Sequence, residues 1–427
     1  MARKRKPEEE FDDAEFFEFL DEEGEKDDMQ WYAQFGAELV ESAPKVKRPK
    51  IGRYERLKRD SQADLDDEFK VFVDVNESST PSRAYRFIDL FSGAGGITKG
   101  LSMAGLRPVA SVEINPIASA THVRNFPSCK HYCGDIKNYH PGKLLNLEEH
   151  GEIHLVSGGP PCQGFSVAGK RDPNDERNKL FYEFIRVVAE IRPWYVVMEN
   201  VPGILTMKGG AVRSAIIEAF EEIGYPNMSI TVLESADYGV PQFRPRAIFV
   251  ANRFGLDNPY PKPQLTPDQY RPIESAISDL PPFTPIPAIN HEWTRHSKQY
   301  MERIAKVPPG GSLYETFFDA FKRQYPGLPS MTIKENHGGT HIHPHLNRVI
   351  SAREMARLQT FPDDFIFEGT MKKAMWQIGN AVPPRLAQVI GFALIPYLNE
   401  IAAAPSGAFS VEKVQRHHGT RQTALFA

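Results

Sequence analysis

The 427-residue chain is 41% hydrophobic and 11% aromatic, enough to bury a large core and long enough for two domains. Its net charge of −4 is unevenly spread: residues 1–30 hold 13 acidic and 5 basic side chains, a local −8, which leaves +4 on the remainder. No run approaches the roughly 18 uncharged apolar residues of a membrane span and no apolar signal segment opens the chain, so no membrane association and a cytoplasmic protein are expected. Residues 1–83 read as a charged extension, largely disordered. Within it Lys45, Lys47, Arg48, Lys50, Arg53, Arg56, Lys58 and Arg59 form a basic block, either plain solvated chain or a phosphate-contacting arm. Phe11, Phe16, Phe17, Phe19 and Leu20 suit a short acidic amphipathic helix.

From about residue 84 short apolar runs alternate with helical patterns, as in βαβ units around a parallel sheet. RFIDLF (86–91) reads as a strand, followed by the small-residue loop SGAGG and a helix from about Thr98. RPVASVE (107–113) is a second strand, with a helix over 116–125 and a polar connection to GDI at 134–136. EIHLVSG (152–158) is a strand running into Gly-Gly-Pro-Pro-Cys, LFYEFIRVVAEI (180–191) a helix, and WYVVMEN (194–200) the next strand. A helix over 211–224 ends in glycine, and SITVLES and RAIFVANR suit an antiparallel pair. Residues 84–255 therefore predict an open, doubly wound α/β domain. Residues 256–348 lose clean periodicity and read as a second, smaller, irregular domain that serves recognition from its loops. Residues 349–400, with helices at 351–361 and 384–398, return to the first domain, and 401–427 are a tail.

The loop Phe91, Ser92, Gly93, Ala94, Gly95, Gly96 lies between a strand and a helix, where small residues admit a ligand to the backbone. Glu113 follows Gly95 by 18 positions at the end of the second strand, placed to bind ribose hydroxyls. On these residues alone NAD fits as well as any other nucleotide cofactor. Phe91, Glu113, Asp135, the Pro160, Pro161, Cys162 turn and Glu199 all fall at or just past the carboxyl ends of strands, the edge where open α/β sheets bind ligands. Only three cysteines occur, at 129, 133 and 162, too few for a disulfide framework. Cys162 follows two prolines and precedes a polar stretch rich in glycine and positive charge, the setting of a reactive thiolate. Glu199 ends the next strand and can bring a carboxyl group to the same pocket.

The segments DLFSGAGG, VEIN, GDI, GGPPCQGFS, ENV, QFRPR, SAREMARLQTFPDDF and QIGNAVPP, in this order between about 84 and 400, resemble those of the cytosine-C5 DNA methyltransferases. The resemblance implies a Rossmann-like domain dependent on S-adenosylmethionine and a smaller target-recognition domain. It also implies transfer of a methyl group to C5 of a cytosine flipped out of double-stranded DNA. Cys162 matches the nucleophile that adds to C6. Glu199 matches the group that shares a proton with N3, for which a secluded pocket is favourable. Arg244 and Arg246 match the arginines that brace base, carboxylate and catalytic loop. For the cofactor, Phe91 and Ile114 match the adenine contacts and Glu113 the ribose contact. Ser92, Gly93 and Gly95 match the loop around the methionine portion. Asp135 matches the acceptor of the adenine amine, with Ile136, Pro161 and Leu180 lining the pocket, and Asn380 and Val382 close it from the C-terminal side. Residues 163–178 match the loop that closes over DNA, making Gln163, Ser166, Lys170, Arg171 and Arg177 its DNA contacts.

The family further implies a monomer acting as the modification half of a bacterial restriction-modification system, with a cognate endonuclease for the same site. Two rival readings stand beside it. One is an RNA cytosine-C5 methyltransferase on the same scaffold, disfavoured by Gln163 to Ser166 and by the large variable region. The other is a catalytically silent DNA-binding relative, disfavoured by intact Cys162, Glu199 and Arg246. Cys129, His131 and Cys133, and the histidines at 337, 341, 343 and 345, lack the paired spacing of a structural zinc site, so no metal is expected. The second group reads instead as part of a DNA-facing loop.

Overall fold

A computed structural model describes residues 69–144, 151–161, 179–314, 321–334 and 341–405. A seven-stranded sheet runs in the order β4-β3-β2-β5-β6-β8-β7. Its strands are β2 (Arg86–Leu90), β3 (Arg107–Glu113), β4 (Lys130–Cys133), β5 (Leu155–Gly158), β6 (Tyr195–Asn200), β7 (Ser229–Glu234) and β8 (Pro245–Asn252). The first five are mutually parallel, and β8 runs antiparallel to both β6 and β7. The strand order reverses between β2 and β5. At such a switch point the loops leaving the two strands diverge to opposite faces and open a crevice.

Both faces of the sheet are covered, so its central strands are apolar almost throughout. On one face Ile88, Val112, Val196 and Ile230 pack against Phe184 and Val187 of α3 (Lys179–Ile191) and Ile216 of α4 (Ala211–Glu222). On the other, Phe87, Leu155, Tyr195 and Val250 pack against Leu101 of α1 (Gly96–Met103) and Leu386, Ile390 and Leu394 of α8 (Pro384–Ala403). The expectation that no segment has the length and apolarity of a membrane span is corrected at this end of the chain. Met371–Ala403 meets both criteria, with a mean hydropathy of 1.4 over its best window. Its apolar side chains are buried against the sheet, as in a core helix. α2 (Pro116–Asn125) starts at the expected residue because the Asn115 side chain accepts from the N–H groups of Ile117 and Ala118.

Three features depart from the sequence reading. β4 was expected as a polar connection; it is an edge strand whose Lys-His-Tyr-Cys sequence lacks apolar alternation because only its inner rim meets the core. Residues 70–83, read as part of the disordered extension, include β1 (Lys70–Val73), which pairs in parallel with β9 (Asn258–Pro261). Tyr260 of β9 is fully buried in the α8 core, so the chain at 258–261 packs on the large sheet although it follows residue 256. Ile273 and Ile277 likewise join the core formed with α6 (Ala352–Leu358) and α7 (Met371–Asn380).

The remaining irregular region has its own small core of Trp293, Met301, Ile304, Val307, Phe321, Ile342 and Val349, with one longer helix, α5 (Lys298–Ala305). With few helices and strands, its buried carbonyls need other donors. Arg323 donates to the carbonyls of Val307, Ile304, His343 and Leu346 and to Asn347 Oδ1, at 2.7–3.0 Å. Arg348 forms a bidentate pair with Glu354 at 2.7 and 2.8 Å. Of the four histidines read as a DNA-facing loop, His341 and His343 are instead buried. His343 is held down to about 3 by burial, and its Nδ1 accepts from the N–H groups of His345 and Leu346. His345 is exposed and pairs with Glu274 at 2.7 Å, while His337 lies outside the described residues.

Candidate active site

A cavity of about 800 Å³ opens at the switch point, along the carboxyl ends of β2, β3, β5 and β6. That is ample for one small-molecule ligand and part of a second. Its first end is built from backbone turned to meet a ligand. After β2 the chain enters the left-handed region at Phe91 (φ 55°), Gly93 (φ 53°) and Gly95 (φ 101°). Ser92 N–H donates to Val112 O, which ties the loop to β3. Glu113 holds it from the side: Gly93 N–H donates to Oε2 at 2.9 Å and Asn115 N–H to Oε1 at 2.7 Å. Burial raises Glu113 above the usual carboxylate range despite these donors. A side chain added at Gly93 would meet nothing within 4 Å, so this stretch of backbone faces open space.

Gly95 does not line the cavity. A Cβ there would lie 2.6 Å from the Phe126 ring, so this glycine makes the turn into α1 against a filled core. The other residues expected at a cofactor do line it: Phe91, Ser92, Gly93, Glu113, Ile114, Asp135, Ile136, Pro161, Leu180, Asn380 and Val382. Ile114 is 65% exposed, an unusual state for isoleucine at a strand end, and offers a flat apolar contact inside the cavity. Asp135 caps a short turn by accepting from Lys137 N–H at 3.0 Å.

The second end is held by charge. Glu199, at the end of β6, pairs with Arg246 of β8: Oε1 takes the guanidinium Nε at 2.7 Å, and both side chains are largely buried. Its other oxygen points past Gly159, where an added Cβ would come within 3.0 Å of Oε2. The Asn200 amide donates to Pro160 O at 2.9 Å and ties the proline turn to the same strand end. Arg244 is 2% exposed and reaches the opposite way, donating to the carbonyls of Ile333, Gly379 and Ala381 at 2.7–2.8 Å. Burial lowers both guanidinium groups from the ordinary arginine value, and Glu199 and Glu234 oppose it.

Cys162 lies outside the described residues, as do Gln163, Ser166, Lys170, Arg171 and Arg177; the chain is described up to Pro161, which lines the cavity. The sequence reading missed Thr332, Ile333, Lys334, Trp376 and Gln377, which also line it. Trp376 sits one turn before Asn380 on α7, a spacing that places both on one face and that sequence alone offered. Nothing local marks residues 332–334. Among the described residues no group of three or more His, Cys, Asp or Glu is placed to hold a metal ion.

Residues 85–395 match the family model of C-5 cytosine-specific DNA methylases. Type II methyltransferase M1.HphI of Haemophilus parahaemolyticus is 39% identical over 324 residues, covering 72% of this chain and 86% of that protein. Type II methyltransferase M.DdeI of Desulfomicrobium norvegicum is 34% identical, covering 77% and 93%. Among solved structures, a prophage-encoded E. coli protein described as a DNA modification methyltransferase aligns with a TM-score of 0.61 at 27% identity, over 74% of this chain and all of that one.

Proposed function

The chain belongs to the C-5 cytosine-specific DNA methylase family and is a DNA cytosine-C5 methyltransferase, and from that premise we propose that it uses S-adenosylmethionine and the residues of this cavity. What carries the reading is the pairing of two unlike ends in one crevice: a backbone-built ligand site at Glu113, and the ion-paired Glu199 beside the proline turn that leads to Cys162.

The donor set at the first end suits this cofactor. Glu113 accepts from ribose hydroxyls, Phe91 and Ile114 flank an adenine, Asp135 accepts from its amine, and the open backbone at Gly93 leaves room for the amino-acid portion. When bound, the cofactor supplies the methyl group. Asn380 and Val382, delivered by the break between α7 and α8, close the site from the opposite wall.

The target cytosine reaches the second end only after flipping out of the duplex. The Cys162 thiolate adds its electron pair to C6, and the ring electrons move toward N3 and C5. Glu199 meets N3 and the exocyclic amine through Oε2, because Oε1 is committed to Arg246. Arg246 thereby fixes the rotamer of Glu199, and Arg244 locks the strand to the carbonyls of 333, 379 and 381. Once C5 is methylated, a base or water takes its proton, the C5–H electrons re-form the C5=C6 bond and the C6–S bond breaks, which frees Cys162 as the thiolate. The relatives named as type II methyltransferases support a role as the modification half of a restriction-modification pair.

The test uses unmethylated DNA and S-adenosylmethionine labelled in its methyl group. Label should appear at cytosine C5 in DNA, and a duplex with 5-fluorocytosine at the target should trap a covalent adduct. Label on RNA alone, or an adduct that persists in Cys162→Ser, defeats the reading. Glu199→Gln should lower kcat by about 10²–10⁴-fold with the fold unchanged by circular dichroism.

A further inference from the structure

A polar row crosses the apolar sheet. His131, Ser111, Asp89 and Ser157 stand in register on β4, β3, β2 and β5, and the next strand continues that register with Val197. Ser111, Asp89 and Ser157 are fully buried, as are Thr98 of α1 and His122 of α2, which bond to the row. Such groups cost stability in a core unless each finds a partner. Asp89 takes the Thr98 hydroxyl on Oδ2 at 2.6 Å and the Ser157 hydroxyl on Oδ1 at 2.9 Å. Thr98 Oγ1 meets His122 Nε2 at 3.1 Å, and Ser111 Oγ lies 3.3 Å from His122 Nδ1 and 2.7 Å from His131 Nδ1.

The acid sets the direction of these bonds. Thr98 gives its one hydroxyl hydrogen to Asp89, so His122 donates to Thr98 from Nε2. Burial holds His122 down to about 3 and keeps it neutral, so its Nδ1 accepts from Ser111. Ser111 Oγ in turn accepts from His131 Nδ1 and from the Cys129 thiol at 3.6 Å. His131 Nε2 is then a bare lone pair, and it is buried with no hydrogen-bond partner.

The row lies directly beneath the site. Two positions further along β2, β3 and β5 stand Phe91, Glu113 and Gly159, which line the cavity, and two further along β4 is Cys133, just ahead of Asp135. The two bonds of Asp89 reach the two segments that meet at the switch point. Thr98 belongs to the helix that follows the glycine loop, and Ser157 to the strand that runs into the Pro160, Pro161 turn. We propose that Asp89 is a positioning residue: it joins the helix behind the cofactor loop to the strand that delivers the nucleophile turn, and so sets the two ends of the cavity at their working separation. Hydrogen bonds to a carboxylate are shorter and stronger than neutral ones, and small displacements of reacting groups cost large factors in rate. This rests on the reading of the cavity as the site of S-adenosylmethionine and cytosine.

The test measures methyl transfer to unmethylated DNA by the full chain. Thr98→Val should raise KM for S-adenosylmethionine by about tenfold with kcat nearly unchanged, and Ser157→Ala should lower kcat by about tenfold with KM nearly unchanged, the effect of one charged hydrogen bond each. Thr98→Ser should restore KM. Burial pushes Asp89 up to about 6, and Glu113 of β3 adds to that shift. His122 of α2, His131 of β4 and Cys129 are the other titratable groups of the network, while α1 and β5 present the Thr98 and Ser157 hydroxyls. Each variant's ratio to the wild type should therefore be largest above pH 6, where Asp89 is a charged acceptor, and shrink below it as Asp89 is protonated. Glu113 and Glu199 titrate in both proteins and cancel in the ratio. Variants that melt earlier but keep wild-type KM and kcat overturn the proposal, because the bonds then serve stability alone. Ratios that stay constant from about pH 5 to 8 also overturn it. If the wild-type protein methylates no cytosine in DNA, the underlying reading has failed; if it does and the variants match it, only the role of Asp89 has.

Discussion

Two fully buried carboxylates, one in the sheet and one where α6 meets the irregular region, are shifted in opposite directions. Asp89 in β2 has hydroxyl partners, Thr98 Oγ1 at 2.6 Å and Ser157 Oγ at 2.9 Å, and burial pushes it up to about 6. Glu354 at the start of α6 is just as buried, but the Arg348 guanidinium and the Ser351 N–H hold it down at about 2. The sheet is stabilised by apolar layers on both faces and tolerates a carboxylate with neutral partners. The irregular region has a small core and depends on paired charge and arginine-to-carbonyl bonds. Glu113 stands between them: its partners are the backbone N–H groups of Gly93, Asn115 and Ile114, and burial still raises it.

The contrast can be broken most directly at Arg348. Arg348→Ala leaves Glu354 buried and unpaired, and should cost about 3–5 kcal/mol in urea unfolding at neutral pH. A loss below about 1 kcal/mol would mean that the charge pair does not hold the region. Glu354 should contribute stability above its unfolded value of 4.5, and that contribution should fall away as pH drops toward about 2. Glu354→Gln should therefore converge on the wild type in acid.

Asp89 should behave in reverse. Its folded value lies above its unfolded value of 3.8, so its contribution is fullest below 3.8 and is lost as pH rises through about 6. Relative to Asp89→Asn, the wild type should lose roughly 2–3 kcal/mol between pH 4 and 7. A flat difference across that range would show that the hydroxyl partners compensate fully for burial. The smallest effect is expected at Glu113. Glu113→Gln keeps an acceptor for Gly93 but removes the charge, and should weaken S-adenosylmethionine binding about tenfold by calorimetry, the effect of one charged hydrogen bond. Unchanged affinity would remove Glu113 from the cofactor site.

Much of the sheet was legible because its strands are short apolar runs and its helices carry long periodic faces. β3 and α2 begin and end where pattern and capping residues place them. β4 was hidden because an edge strand need not alternate, and β1 because its partner β9 lies more than 180 residues away. In the cavity, the strand-end residues were legible from the rule that ligands gather at carboxyl ends. Gly95 was misplaced by the same rule, since a glycine in a ligand loop can instead serve the packing behind it. Arg244 and Arg246 were found through their motif, yet their division of labour was not: one braces three carbonyls and the other orients Glu199.

By itself the amino-acid sequence determined the fold class, the family, and which side chains stand at strand ends. Periodicity and motif spacing are local, and they report which face is buried and which residues leave a strand together. Only the tertiary structure decided which oxygen of Glu199 pairs with Arg246, that His341 and His343 are interior, and that Lys334 lines the cavity. Those outcomes depend on contacts between segments far apart in the chain, and they exist only once the sheet, the C-terminal helices and the irregular region have closed on one another.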